Sequence, residues 1–349
     1  MIYQLDKIFL ENRFQQDLND VATELVGLFS LRHAREVAHL DNPLLRWLDF
    51  RLRYVDPIPR KVVYSDKFPK RLPVSARKAL KNLERLICHG KDINCYQGKG
   101  LIKHHDVSGA KRQFRTDFLW ADWNILHFHL SDEPIPRGEF FSQPADWILF
   151  CIVGGDAVAF VDVLPHPKGD GFADPDLLHT VARSWPRYFD QFRVKGIHAD
   201  TPLSAQRIHQ ARKGGVAQFF SIGKSAYIGP GMGITSASTA LKTTLALDRA
   251  RDHVRSLAEL VCLEGSQFQS ETLASSVQNP EFSLCMTIQG LAVFEAVSSR
   301  AFLLPTSRPE IPLSFLTELR ELLMPDWVLH FIKTIEPLKV ATSVFQAPA

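Results

Sequence analysis

The run Trp147 to Val153 is apolar at every position, and a second run, Ala157 to Val163, apolar except for Asp162, follows it after Gly154-Gly155-Asp156. Two such runs joined by so short a connection pair as an antiparallel hairpin, with glycine supplying the positive φ that tight hairpin turns need. A strand is expected upstream over Asn124 to Leu130, beyond a loop containing Pro134 and Pro136. Downstream, Asp174 can cap a helix with Pro175 in its first turn. Its apolar stripe is Leu177, Leu178, Val181 and Ala182, and Trp185-Pro186 stops it. The segment therefore reads as a strand, a hairpin and a helix, and it commits the chain to sheet with packed helices.

The N-terminal stretch reads differently. Phe14, Leu18, Val21, Leu25 and Leu28 recur at steps of three and four, which puts them on one helical face. Asn42 and Pro43 open a second helix with Leu44, Leu45, Leu48 and Leu52 inward. Prolines 57, 59, 69 and 73 then interrupt regular structure around a short strand at Val62-Val63. Ser75 caps a third helix that ends at Gly90, with Ala76, Leu80, Leu83 and Ile87 on its apolar side.

After residue 200 come a short helix, Ser204 to Lys213, and a hairpin around Gly223. A glycine-rich loop, Gly229 to Gly233, leads into a long helix starting near Ser236 or Ser238. Residues 265 to 280 read as loop. Strands at Phe282 to Ile288 and Leu291 to Val297 and a helix from Ser314 to Leu323 complete the pattern. The expected class is α+β: a helical, basic N-terminal part followed by mainly antiparallel sheet units with packed helices. The expected segments are 1–93, 94–200, 201–264 and 265–349.

Charge is unevenly placed. Residues 51–115 hold 17 Lys and Arg against 5 Asp and Glu, although the whole chain carries only +3. Such clustering suits a polyanionic partner, most simply nucleic acid, because phosphate neutralisation needs concentrated positive charge. A solvated basic surface is the alternative. Arg77, Lys81 and Arg85, four apart on the third helix, form a basic ridge, and Lys103, Lys111, Arg112 and Arg115 form a basic arm ahead of the Asn124 strand. The five cysteines lack C-x-x-C spacing, so neither a disulfide framework nor a zinc knuckle is indicated, and a cytoplasmic setting is expected. No run of 18 apolar residues occurs, so no membrane association is expected.

Residues two apart on a strand share a face, so His127 and His129 point the same way while Leu126, Phe128 and Leu130 face a core. Asp162 and His166 share parity on the second hairpin strand, and these four side chains form the candidate site. Imidazole suits acid and base roles because it titrates near working pH. His127 and His129 could serve as general base and acid in RNA cleavage without a cofactor, with Asp162 orienting one ring and Arg112 or Arg115 on phosphate. A second reading gives His127, His129 and Asp162 a divalent metal for hydrolysis. A third makes the histidines structural residues of a non-enzymatic binding or regulatory module.

The Gly229 to Gly233 loop could offer N–H groups to a phosphate, but it lacks the Lys-Ser/Thr of a P-loop. His127-Phe128-His129 also lacks the flanking glycines of a cupin motif, with Ala at 121 and Phe at 140.

The segments Arg115 to Trp123, His127-Phe128-His129-Leu130 and Ala159 to His166, with Ser184-Trp185-Pro186, resemble a group of bacterial proteins often encoded by prophages or mobile elements. The order of short strands is distantly similar to that of small ribonuclease toxins of toxin–antitoxin systems. The resemblance implies an RNA endonuclease in bacterial or phage defence, with an antitoxin-like protein as partner.

Overall fold

A computed structural model describes residues 5–104, 116–166, 172–197, 204–213, 216, 219–237, 239–274, 277, 279–307 and 314–339. Helices and mainly antiparallel sheets make the class α+β. The chain divides into two compact units. One comprises Arg32–His39 and Leu52–Thr244; the other comprises Met1–Leu31, Leu40–Arg51 and Leu245–Ala349. The boundaries expected at 93, 200 and 264 do not coincide with these units. Periodicity identifies an apolar face but not the distant element that will cover it.

The first unit is built on a four-stranded sheet of β1 (Lys61–Tyr64), β2 (Leu126–His129), β3 (Trp147–Val153) and β4 (Ala157–Pro165), in the order β1-β4-β3-β2. The expected hairpin is β3–β4. Its turn differs from expectation, because neither Gly154 nor Gly155 has positive φ. Gly154 N–H donates to Ala157 O at 2.8 Å, and a Cβ on Gly154 would sit 3.2 Å from that same oxygen. Close approach therefore explains glycine at that position.

The Val62-Val63 strand is part of this sheet and runs parallel to β4, the one parallel pairing in it. Both faces are covered, which is why β3, and β4 apart from Asp162, read as apolar runs. On one face the helix Val74–Cys88 buries Ala76, Ala79, Leu80, Leu83 and Ile87 against Leu126, Phe128, Leu149 and Phe160. That helix has Pro73 at its N-cap and no side-chain cap, so Ser75 does not play the expected role. On the other face the helix Asp176–Ser184 places Leu177, Leu178 and Val181 against Ile148, Phe150 and Val161. The N-cap of this helix is Pro175, with no side-chain cap, instead of the expected Asp174; Asp174, one residue earlier, accepts the Asp176 N–H at 3.0 Å.

A smaller sheet in the same unit joins β5 (Arg193–Val194), β6 (Phe219–Ile222) and β7 (Ser225–Ile228) in the order β5-β7-β6. Gly223, with φ +61°, turns β6 into β7. The loop that follows lies on the C-terminal end of the helix Phe118–Trp123. Gly231 N–H donates to Asp122 O at 2.9 Å and Gly233 N–H to Ala121 O at 3.0 Å. A Cβ on Gly229 or Gly231 would overlap the main chain at those carbonyls. These glycines thus satisfy the open end of a helix. The long helix Leu241–Cys262 starts later than expected because Ile234 and Ala240 first form a bridge.

The second unit holds the antiparallel sheet β8 (Phe282–Thr287), β9 (Gly290–Glu295) and β10 (Arg300–Leu303), ordered β10-β9-β8. The helix Lys7–Leu28 buries Phe14, Leu18, Val21 and Leu25 as its spacing predicts. Its Asp17 accepts the Leu284 N–H at 2.8 Å. Residues 265–280, expected as loop, contain the helix Gln267–Ala274, anchored by fully buried Phe268. A single anchor among polar residues leaves no stripe to read. Among the described residues no helix is long and apolar enough to cross a membrane.

Candidate functional site

The site lies at the β2 edge of the four-stranded sheet. β2 pairs with β3 so that His127 lies opposite Phe150 and His129 opposite Ile148. The alternation of β2 then sends Leu126 and Phe128 into the core beneath Val74–Cys88, as expected, and both histidines to the other face. That face is also covered, so the two rings are half-buried.

His166 reaches the same place from β4. Its N–H donates to Asp146 O at 2.6 Å, just beyond the start of β3. Its ring stacks on His129 with centroids 5.7 Å apart and planes at 28°, and the His127 and His129 centroids are 6.3 Å apart. Phe172 closes the group, with its ring 5.2 Å from His127 and 6.0 Å from His166. The structure therefore brings together three of the four expected side chains.

Asp162 is not among them. It lies opposite Phe150, which in turn lies opposite His127, so the carboxylate and His127 are two strand spacings apart, about 10 Å, with Phe150 between them. Asp162 instead contacts Lys67 Nζ at 3.4 Å and accepts its neighbour Val163 N–H at 2.8 Å. Burial raises its pKa, opposed by the hydrogen bond and the lysine. It is placed to hold Lys67, not to orient an imidazole.

The carboxylate beside the histidines is Asp117, 3.2 Å from His127 Nδ1. It is the N-cap of the helix Phe118–Trp123, with Oδ1 accepting Leu119 N–H at 2.9 Å and Oδ2 facing the ring. Burial opposes its ionisation, but His127 and the capping Trp120 N–H together hold its pKa below the usual carboxylate range. The sequence carried a signal for it, an Asp immediately before a short apolar helix, though that signal specifies a cap rather than a site.

His129 has a different environment. Burial, then the neighbouring charges of His127 and His166, bring its pKa from 6.5 down to about 4. It is neutral at pH 7. Gly98 passes close to His127, where a Cβ would lie 3.9 Å from Nε2.

The basic residues are distributed around this site. Arg77, Lys81 and Arg85 are exposed on Val74–Cys88, on the opposite side of the sheet from the histidines. Lys78 of that helix comes within 4.0 Å of Asp132, just past β2, so the start of the ridge adjoins the histidine-bearing edge. Lys103 is exposed at the end of the short helix Gly100–Lys103. Lys111, Arg112 and Arg115 lie outside the described residues.

Among the described residues no three His, Cys, Asp or Glu side chains are grouped to hold a metal ion, and Asp162 stands apart from His127 and His129. Comparison with protein-family models, curated proteins and solved structures gives no match.

Proposed function

We propose that this protein binds RNA and cleaves it without a metal at the cluster of His127, His129 and His166. The observation that carries the reading is the contact between Asp117 and His127 Nδ1, beside a second imidazole that stays neutral. A carboxylate against Nδ1 places the proton on that nitrogen and leaves Nε2 for chemistry. It also compensates the charged form of the ring, which suits His127 to protonate the leaving 5′-oxygen. His129, neutral above about pH 4, is the base that takes the proton from the 2′-hydroxyl. Two rings in unlike environments divide the acid and base roles. His166 holds His129 by stacking, and Arg112 or Arg115 meets the phosphate.

The exposed cations of Val74–Cys88 and Lys103 supply the charge that attracts the RNA backbone. A cytoplasmic toxin-like or defence role, with an antitoxin-like protein as partner, fits that activity. The half-buried, stacked setting of His129 favours a second reading, a binding module with structural histidines. RNA cleavage in EDTA by the intact chain and by His127→Ala/His129→Ala separates the two.

A further inference from the structure

β1 ends the four-stranded sheet, and its backbone shows which groups face outward. In a parallel ladder alternate residues bond to the neighbouring strand. Lys61 N–H donates to Asp156 O at 2.9 Å and Ser65 N–H to Phe160 O at 3.0 Å, so Lys61, Val63 and Ser65 are the residues turned to β4. Val62 and Tyr64 therefore direct their N–H and C=O groups away from β4, and among the described residues no strand pairs with them there. Such an edge is a template for a further strand.

The side chains around the edge select which strand fits. Val62 and Tyr64 share the face beneath the helix Val74–Cys88: Val62 packs on that core, and the Tyr64 ring lies 4.9 Å from Phe68 and 5.5 Å from Phe160. Tyr64 nevertheless stays 45% exposed and Val63, on the other face, 38%. Lys61 is exposed on the Val63 face, and Lys70 and Arg71 are exposed on the segment that leaves β1. Among the described residues none of these three cations is in an ion pair. Their neighbours are already matched, Lys67 by Asp162 at 3.4 Å and Asp66 by Arg183 at 2.8 Å. Glu84, beside the Tyr64 hydroxyl, is the opposing charge on the helix side.

Pairing β1 with a second copy of itself would bring Lys61, Lys70 and Arg71 of both chains together, and like charges across a strand pair are destabilising. RNA could neutralise the cations, but it offers no strand-spaced array of amide N–H and C=O groups. We infer that the β1 edge receives an extended acidic peptide segment of a partner protein, which pairs with Val62 and Tyr64. Its acidic side chains lie on the Lys61 face, away from Glu84, and its alternate, apolar side chains lie beside Tyr64. The inference does not depend on RNA cleavage.

The test is NMR titration of the isotope-labelled full chain with an acetylated hexapeptide alternating aspartate and valine, against a lysine–valine hexapeptide of the same pattern and against oligouridine. The acidic peptide should bind with a Kd of about a millimolar or tighter, slow amide exchange at Val62 and Tyr64, and exceed the lysine peptide in affinity by about tenfold or more. Val62→Pro removes an outward N–H without touching the pairing to β4. It should bind the acidic peptide about tenfold more weakly than Val62→Ala, which keeps that N–H. If Val62→Pro does not fold, the exposed variant Lys61→Glu/Lys70→Glu/Arg71→Glu decides, since it should invert the preference between the two peptides. Equal binding of the peptides, no slowing at Val62 and Tyr64, equal affinity in folded Val62→Pro and Val62→Ala, or an unchanged preference after charge reversal overturns the inference. So does protection of Val62 and Tyr64 in a dimer of the chain alone, or binding at this edge by oligouridine and not by the acidic peptide.

Discussion

Asp117 divides its two carboxylate oxygens between fold and site. Oδ1 caps the helix Phe118–Trp123, while Oδ2 lies 3.2 Å from His127 Nδ1. The same residue that starts the helix therefore places a carboxylate oxygen beside the neighbouring imidazole.

Substitution separates those duties. Asp117→Asn keeps a capping oxygen, and Asn is as good a cap as Asp, so stability should change by less than about 1 kcal/mol. RNA cleavage should fall on the order of a hundredfold, because the charged form of His127 loses its counterion. Urea unfolding together with a cleavage rate measures both. An unaltered rate in a folded Asp117→Asn protein removes Asp117 from the chemistry.

The His129 shift makes a pH prediction. Its folded pKa, about 4, lies below the unfolded value near 6.5. Between these values the unfolded chain binds more protons, so this contribution to stability rises with pH over that window and is complete above the unfolded pKa. Lowering the pH from about 7 to 4 should cost up to about 3 kcal/mol through this residue. His129→Asn should lose that part of the pH dependence. Parallel stability curves for the two proteins would contradict the burial argument.

The Asp122–Arg212 pair is buried, with 12% and 6% of the two side chains exposed. Burial pushes the Asp122 pKa up and the Arg212 pKa down, and each partner opposes the shift of the other. Asp122→Ala leaves an uncompensated guanidinium and should destabilise by about 3–5 kcal/mol. Asp122→Leu with Arg212→Met should recover much of that loss. Denaturant unfolding of the single and double variants checks the coupling.

The exposed ridge is testable by salt. Replacing Arg77, Lys81 and Arg85 with alanine should reduce the slope of log K against log salt for single-stranded RNA by about 2. The effect should be similar for all RNA sequences, since phosphate contacts carry no sequence information. An unchanged slope would mark the ridge as a solvated face.

Local features were the legible ones. The β3–β4 hairpin, the Phe14–Leu25 helix face and the shared direction of His127 and His129 follow from spacings of two, three and four residues. The failures involve partners distant in sequence. Shared parity brought His166 to His129, yet the same rule misplaced Asp162, because β3 inserts Phe150 between the carboxylate and His127. Strand order is a tertiary fact. The Gly229 to Gly233 loop shows the same limit, since its glycines answer the carbonyls of Ala121 and Asp122, about a hundred residues earlier in the chain. The two-unit division also depends on segments from both chain ends meeting in one unit.

The most direct measurement is single-turnover cleavage of a short single-stranded RNA in EDTA by the intact chain and by His127→Ala/His129→Ala, with folding of both checked by circular dichroism. The intact protein should produce ends bearing a 2′,3′-cyclic phosphate, and the folded double variant should be slower by about 10³-fold or more. No cleavage by the intact chain between about pH 5 and 9, or equal cleavage by the double variant, would contradict catalysis at these histidines.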